Sequence, residues 1–182
     1  VYNKDYSSYS LEDVCLEMSS LGKGDIREPF IEVTYPNGSS TTDMVFDRAE
    51  IIQGKEEYDT LPGSYDDNGE VEQLVIYLKD RNYNLTLELH YYVYEKCDII
   101  TRSAKLVNSG NESVRLERLM SMQLDLNESD YELSFFNGAW AREMNRSRIS
   151  LRAGKYVNES VTGTSSNRAN PFFMIGRSST TE

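Results

Sequence analysis

The sequence contains a single histidine, His90, among its 182 residues. This scarcity argues against a Ser-His-Asp triad and against a histidine-rich metal site, so we predict no metal-binding residue. Thr86 and Glu88 share the parity of His90 in an alternating segment. We therefore predict that these three side chains lie on an exposed strand face.

Cysteine is almost as rare, since the chain has only Cys15 and Cys97. Two distant cysteines do not make a disulfide framework, and we predict reduced thiols that fill strand positions in a cytoplasmic protein. Asn-x-Ser/Thr sites keep open the alternative of a secreted glycoprotein. Six of these sites occur, at Asn37, Asn84, Asn111, Asn127, Asn145 and Asn158.

Long apolar runs and a surplus of basic residues are both missing. The run "LVIYL" at 74–78 is far shorter than a bilayer helix, so we expect no membrane partner. The net charge of −11 disfavours nucleic acid as a partner. The first ten residues lack the basic start and apolar centre of a signal peptide, and no Met begins the sequence, so we expect a piece of a longer protein.

The chain does contain a strong alternation of apolar and polar residues. We predict strands over 30–35, 41–52, 69–80, 84–95, 98–108 and 113–126. Asn37-Gly38 between the first two strands predicts a hairpin that pairs them. The segment 10–18 is the one place where a short helix is expected, with Ser10 as its cap. Together these patterns predict an all-β, large two-sheet antiparallel sandwich, with residues 1–182 as one domain.

Two clusters of charged residues stand out from this pattern. Asp25, Arg27 and Glu28 alternate in sign between Gly24 and a proline. The only tryptophan is followed by Arg142 and Glu143, and more arginines continue to position 152. Because Arg and Trp are enriched at interfaces, we favour a domain or subunit contact held by ion pairs. The alternative is a sugar platform, in which Trp140 stacks on a pyranose ring.

A larger resemblance connects these segments. Seven motifs occur along almost the whole chain, from Tyr9 to Ile175. In order, they read "YSLEDVCLEMSSLGKGDIREPFIEV", "NGSSTTD", "LPGSY", "YEKCDIITRSAKLVNSG", "LERLMSMQLDL", "NGAWARE" and "TGTSSNRANPFFMI". Together they resemble the N-terminal domain of bacterial α-galactosidases of glycoside hydrolase family 36.

The resemblance implies a galactose-mutarotase-like β-supersandwich that carries no catalytic or substrate-binding residue itself. In the family, a barrel with two catalytic aspartates follows this domain and a small β domain ends the chain, and neither is matched by this sequence. The parent is expected to be a retaining enzyme that hydrolyses terminal α-galactosyl residues of raffinose- or melibiose-type sugars, without a cofactor. The expected partners are the barrel and neighbouring subunits, in a homotetramer. Asn170 and Pro171 in the last motif join the expected structural and interface residues.

Two stretches depart from the family pattern. Tyr6 or Ser7 stands where an arginine that can reach the sugar site is often found. Near the end, Val161 and Thr162 stand where paired arginines are common, and Asn167 stands where a histidine is common. These departures suggest another branch of the family. An autonomous carbohydrate-binding β-sandwich module remains the alternative function.

Overall fold

Alternating polarity produces strands throughout the part of the chain that the structure describes. This computed structural model describes residues 11, 14–58, 60, 63–127, 129–152, 154–163 and 168–179. These residues form nine β-strands and no α-helix. The strands are β1 (Ile31–Thr34), β2 (Met44–Gln53), β3 (Glu72–Asp80), β4 (Leu85–Tyr94), β5 (Ile99–Asn108), β6 (Arg115–Leu119), β7 (Tyr131–Ala139), β8 (Arg142–Ser150) and β9 (Phe173–Arg177).

The chain divides into two compact units, Val1–Asp125 and Leu126–Glu182. All pairs of strands are antiparallel. The predicted all-β, antiparallel fold class is therefore confirmed. The prediction that residues 1–182 act as one domain stays a prediction.

A four-stranded sheet, in the order β2-β3-β4-β5, dominates the first unit. In the first half of β4 burial alternates, because Leu85, Leu87 and Leu89 are at most 2% exposed and share one face. Each buried leucine contributes roughly 1.5–3 kcal/mol relative to an exposed one. The face that carries these leucines is therefore the core face of the sheet.

A second layer covers that core face. Strands β1 and β6 form a two-stranded sheet, and the apolar residues in and beside β1 are completely or almost completely buried. Phe30, Ile31, Val33 and Tyr35 form one hydrophobic cluster with the three leucines of β4. The first unit is thus a two-layer β-sandwich with its core between β1 and β4.

The predicted hairpin between the first two strands is wrong. Asn37-Gly38 does form a tight turn: Gly38 has a φ of +81°, and its N–H donates to the Tyr35 carbonyl at 2.9 Å. However, β1 pairs with β6, and β2 pairs with β3 in the other layer. The turn reverses the chain between layers rather than within a sheet, because the apolar face of β1 is buried against β4.

The predicted strand over 113–126 ends at Leu119. Beyond it, Gln123 and Asp125 turn their side chains towards an earlier segment instead of continuing the ladder. The Leu16 N–H donates to Asp125 Oδ2 at 2.9 Å, and the Ser19 hydroxyl donates to Gln123 Oε1 at 2.9 Å. The helix predicted over 10–18 is wrong for residues 14–18, which form no helix. Ser10 lies outside the described residues, as do Tyr6, Ser7 and Asn167.

The second unit is built on a three-stranded sheet in the order β8-β7-β9. Leu133 and Phe135 on the central strand are 8% and 7% exposed. The Phe135 ring packs on Tyr156 with ring centres 4.8 Å apart, and Phe136 stacks on Phe172 at 4.9 Å. Aromatic contacts therefore supply much of the packing of this smaller unit.

The two cysteines are not joined by a disulfide, as predicted, and both side chains are exposed. The prediction that they fill strand positions is wrong, because Cys15 lies in an irregular segment and Cys97 in the short 3₁₀ turn Glu95–Cys97. Within the described ranges, no helix has the length and hydropathy needed to cross a bilayer.

Candidate functional site

An ion-pair cluster before β1 contains two of the residues predicted from the sequence. The Arg27 guanidinium binds the Asp25 carboxylate twice, with Nε donating to Oδ1 at 2.9 Å and Nη2 to Oδ2 at 3.0 Å. Arg27 Nη1 also donates to Asp125 Oδ2. The carbonyl oxygens of Val14 and Leu11 accept from Nη1 and Nη2 at 2.9 and 2.7 Å. The cluster therefore joins three separate segments of the first unit.

The charged groups of this cluster form ion pairs with one another. The Asp25 side chain is 2% exposed and that of Arg27 is 23% exposed. Hydrogen bonding to Arg27 holds the pKa of Asp25 below its ordinary value of 3.8, although burial acts in the opposite direction. The same hydrogen bond raises the pKa of Arg27 above its ordinary value. Both groups stay charged and fully engaged, which is the arrangement of a structural brace rather than of a reacting group.

Glu28 belongs to a separate and more exposed ion-pair group. Its carboxylate lies 2.7 Å from Arg118 Nη1, and Arg118 Nε lies 3.3 Å from Glu32. The Glu28 side chain is 48% exposed. Exposed ion pairs of this kind contribute about 1 kcal/mol or less. The pairs of Arg118 with Glu28 and Glu32 therefore stabilise the pairing of β1 with β6 only slightly.

Trp140 lies at the turn between β7 and β8 and is 91% exposed. The hairpin has an unusual backbone, because Ala141 in the turn and Met144 in β8 have φ values of +58° and +57°. Such left-handed conformations are unfavourable for any residue that carries a Cβ atom, which includes alanine. The Ala141 N–H is held by Glu143 Oε1 at 2.9 Å. The indole ring of Trp140 is therefore open to solvent at this turn.

Arg142 and Glu143 begin β8, and both are exposed. Asn170 is half-buried and makes two hydrogen bonds to β7 of the same hairpin. Its backbone N–H and its side-chain amide donate to the Phe136 carbonyl at 3.1 and 3.3 Å. The next residue, Pro171, is exposed. Five of the eight predicted residues are therefore gathered on or beside one hairpin of the second unit, while the other three lie before β1.

His90 contradicts its prediction, because it is only 3% exposed. It does lie on the sheet face opposite the leucines, as its parity indicates. That face is covered, however, since Tyr58 donates to or accepts from Tyr92 and Ser103 at 2.6 and 2.8 Å. Ser103 is the strand partner of His90. The chain that follows β2 therefore lies over part of a face that was expected to meet solvent.

The histidine belongs to a row of polar groups that the sequence did not identify as a site. Gln73 Nε2 lies 2.8 Å from His90 Nδ1, and Glu88 Oε2 lies 3.2 Å from His90 Nε2. Lys105 Nζ lies 3.7 Å from the same Glu88 oxygen. These side chains line a cavity of about 520 Å³. The register of β3, β4 and β5 places them side by side, and register is what single-strand periodicity does not reveal.

No group of three or more His, Cys, Asp or Glu side chains in the described parts of the chain could hold a metal ion. The described residues likewise provide no nucleophile–base arrangement at the predicted positions, where each charged group is either in an ion pair or exposed.

Comparison with known proteins assigns the whole chain to one family. Residues 1–182 match the model of the glycosyl hydrolase family 36 N-terminal domain. The α-galactosidase AgaA of Geobacillus stearothermophilus is 37% identical over 169 residues, which are 92% of this chain and 23% of the relative. The chain therefore spans less than a quarter of the length of that relative.

Solved structures agree with this match. The crystal structure of an α-galactosidase from Lactobacillus brevis is similar with a TM-score of 0.92 and 37% identity, over 98% of this chain and 24% of that chain. The A355E D548N form of AgaA in complex with raffinose has a TM-score of 0.86 and 37% identity, over 94% of this chain and 24% of that chain.

Proposed function

This chain belongs to the glycosyl hydrolase family 36 N-terminal domain family, and on that premise we propose that it is the non-catalytic N-terminal domain of a retaining α-galactosidase. The parent enzyme hydrolyses terminal α-galactosyl residues of raffinose- or melibiose-type sugars. The proposal is carried by one observation: a match over the full chain to a domain whose relatives are α-galactosidases. The raffinose complex of AgaA supports the substrate class.

The non-catalytic role is supported by the state of the buried carboxylates. A retaining glycosidase needs two carboxyl groups about 5–5.5 Å apart that face the scissile bond. Asp25 is taken up by Arg27. Asp80, which is 8% exposed, accepts hydrogen bonds from the Tyr35 hydroxyl and from three backbone N–H groups, those of residues 43, 82 and 83. Neither carboxylate is available to a sugar, and the proposal requires no cofactor.

The partner of this domain is, in our proposal, the catalytic barrel of the same protein or a neighbouring subunit of a homotetramer. Trp140 supports a contact at the β7–β8 turn, because a tryptophan that is 91% exposed gains much from burial. Arg142 and Glu143 add charged groups of both signs beside it. Exposed cysteines without a disulfide support a cytoplasmic location.

The test is a side-by-side assay of this chain and its full-length parent on a chromogenic α-galactoside. We expect an active parent and an inactive 182-residue chain. A Trp140→Ala change in the parent is expected to weaken subunit assembly, measured by sedimentation. Its effect on the rate of hydrolysis is expected to be smaller. An inactive parent would overturn the α-galactosidase proposal, and activity of the short chain would overturn its non-catalytic role.

The second candidate is an autonomous carbohydrate-binding module. The observation that favours it is again Trp140, whose open ring could stack on a sugar. In that case galactose quenches the fluorescence of Trp140 in the isolated chain. An unchanged emission spectrum on titration with galactose removes Trp140 as the sugar-binding surface of such a module.

A further inference from the structure

The polar cavity on the outer face of the four-stranded sheet has the size of a small-molecule binding site. Its volume of about 520 Å³ lies within the range of roughly 300–1,000 Å³ that small-molecule sites occupy. Its floor is built from neighbouring strands, because Tyr77, Glu88 and Lys105 are successive partners across β3, β4 and β5. Groups on paired strands are held more firmly than groups on loops, so the floor is preorganised.

His90 is fixed in one role by its two neighbours. The Gln73 amide nitrogen can only donate, so His90 Nδ1 accepts at 2.8 Å. With Nδ1 as the acceptor, the ring proton lies on Nε2, which donates to Glu88 Oε2 at 3.2 Å. Both ring nitrogens are occupied, which leaves none for metal binding or proton transfer. His90 is therefore a positioning residue that sets the orientation of Glu88.

Glu88 is the acceptor that this arrangement offers to the cavity. One of its oxygens contacts His90 Nε2 and lies 3.7 Å from Lys105 Nζ. A carboxylate has about four acceptor positions, so these two contacts leave capacity for a ligand. The side chain is 15% exposed and lines the cavity. It is therefore both held in place and accessible.

The charges around the cavity indicate the kind of ligand. Lys55 and Lys105 are balanced by Glu56 and Glu88, so the lining has no net charge from these four groups. A strongly charged ligand gains little from a balanced site, and an apolar ligand would displace water from polar groups without replacing its hydrogen bonds. Closely spaced donors and acceptors suit a neutral molecule that has several hydroxyl groups.

We propose that this cavity binds a neutral sugar of about monosaccharide size, with the Glu88 carboxylate accepting hydrogen bonds from its hydroxyls. Lys105 donates to the same ligand, and Gln73 acts through His90. The proposal rests on the geometry of β3, β4 and β5. It depends neither on an α-galactosidase activity of the parent nor on a contact at Trp140.

The experiment is calorimetric titration of the chain with D-galactose, D-glucose and glycine, the last as a small zwitterion. We expect binding of at least one sugar and none of glycine. Glu88→Gln preserves size and removes the charge, and it is expected to weaken sugar binding by about tenfold or more. Lys105→Gln changes a side chain that is 51% exposed, and it is expected to weaken binding several-fold if Glu88→Gln does not fold.

Two control variants locate the site. Glu117→Gln makes the same chemical change on β6, at a side chain that is 37% exposed, and should leave sugar binding unchanged. Trp140→Ala should also leave it unchanged. The proposal is overturned by the absence of sugar binding at about 100 mM, by equal binding in the folded Glu88→Gln and Lys105→Gln variants, by loss of binding in Trp140→Ala alone, or by binding of glycine in place of the sugars.

Discussion

Replacing Arg27 with methionine tests whether the ion-pair cluster stabilises the first unit. Methionine keeps an unbranched inner side chain like that of arginine and removes all five hydrogen bonds of the guanidinium group, to Asp25, Asp125 and the carbonyls of Val14 and Leu11. The Asp25 side chain, 2% exposed, then keeps only the hydrogen bond from the backbone N–H of residue 27, at 3.0 Å. A buried charge is left without its counter-ion.

The size of the effect follows from that charge. Breaking a buried ion pair by removing one partner costs about 3–5 kcal/mol. The remaining backbone bond and the 23% exposure of the arginine place this case at the lower end, about 3 kcal/mol. With a urea dependence of about 1.5 kcal/mol per molar, the unfolding midpoint falls by about 2 M. A domain of this kind has a total stability of about 5–15 kcal/mol, so the loss is large.

Urea unfolding monitored by far-ultraviolet circular dichroism measures the effect. Tryptophan fluorescence is unsuitable, since Trp140 is 91% exposed and lies in the other unit. The pKa of Asp25 is lowered by folding, so the stabilisation is present above pH 3.8 and is lost as the pH falls through the lower folded value. The difference between the native chain and Arg27→Met should therefore shrink below pH 3.8.

Arg115→Met is the matched control, because Arg115 pairs with Glu117 but is 78% exposed. Its expected cost is below about 1 kcal/mol. Adding Asp25→Asn to Arg27→Met should restore part of the lost stability, since the buried charge is then gone. Equal unfolding midpoints for Arg27→Met and Arg115→Met would refute the reasoning.

Two further predictions follow from single side chains. Burial, followed by a hydrogen bond to Glu17, raises the pKa of Tyr91 from 10.0 to about 12. The stabilisation from this group is therefore fully present below pH 10 and is lost as the pH rises towards 12. In urea unfolding, the fall in stability over this pH range should be smaller for Tyr91→Phe than for the native chain. Ala141 has a φ of +58°, so Ala141→Gly should raise the stability of the second unit by about 1 kcal/mol in thermal unfolding. Ala104→Gly, in the middle of β5, should lower stability, and a lowered midpoint for Ala141→Gly would contradict the strain argument.

Strand positions were the most predictable part of the fold. The alternation of Leu85, Leu87 and Leu89 identified both the strand and its buried face, because side chains on a strand alternate strictly between faces. Strand pairing was not predictable in the same way. The Asn37-Gly38 turn is a local property, whereas the partner of β1 is decided by a core that forms with β4 far along the chain.

The end of β6 shows a second limit of prediction from the sequence. Met122, Leu124 and Leu126 continue the parity of the strand, yet all three are at least 40% exposed. The polar residue between the last two, Asp125, binds Arg27 and the Leu16 N–H, so hydrogen bonds formed by alternate residues redirect the chain. Apolar periodicity alone cannot show that polar side chains have distant partners.

The candidate sites could be predicted from the sequence to different degrees. Charge alternation drew attention to Asp25 and Arg27 as part of an interface, and that role stays a prediction; the ion pair that they form with each other was not predicted. His90 was assigned the correct strand face and the wrong environment. The residues that cover that face come from the chain after β2, and the partner Gln73 comes from β3. Neither is visible from the neighbours of His90 in sequence.

The pairing of β1 with β6 has a consequence for synthesis of the protein. Ile31 pairs with Leu119, 88 positions later. At about 5–20 residues per second, a ribosome needs roughly 4–18 s to supply that partner. During this interval the β1 segment has no neighbouring strand, and Phe30, Ile31 and Val33, all 0% exposed in the fold, remain available to chaperones or to other nascent chains. The early part of the chain therefore spends seconds as an unpaired apolar segment before its own sheet exists.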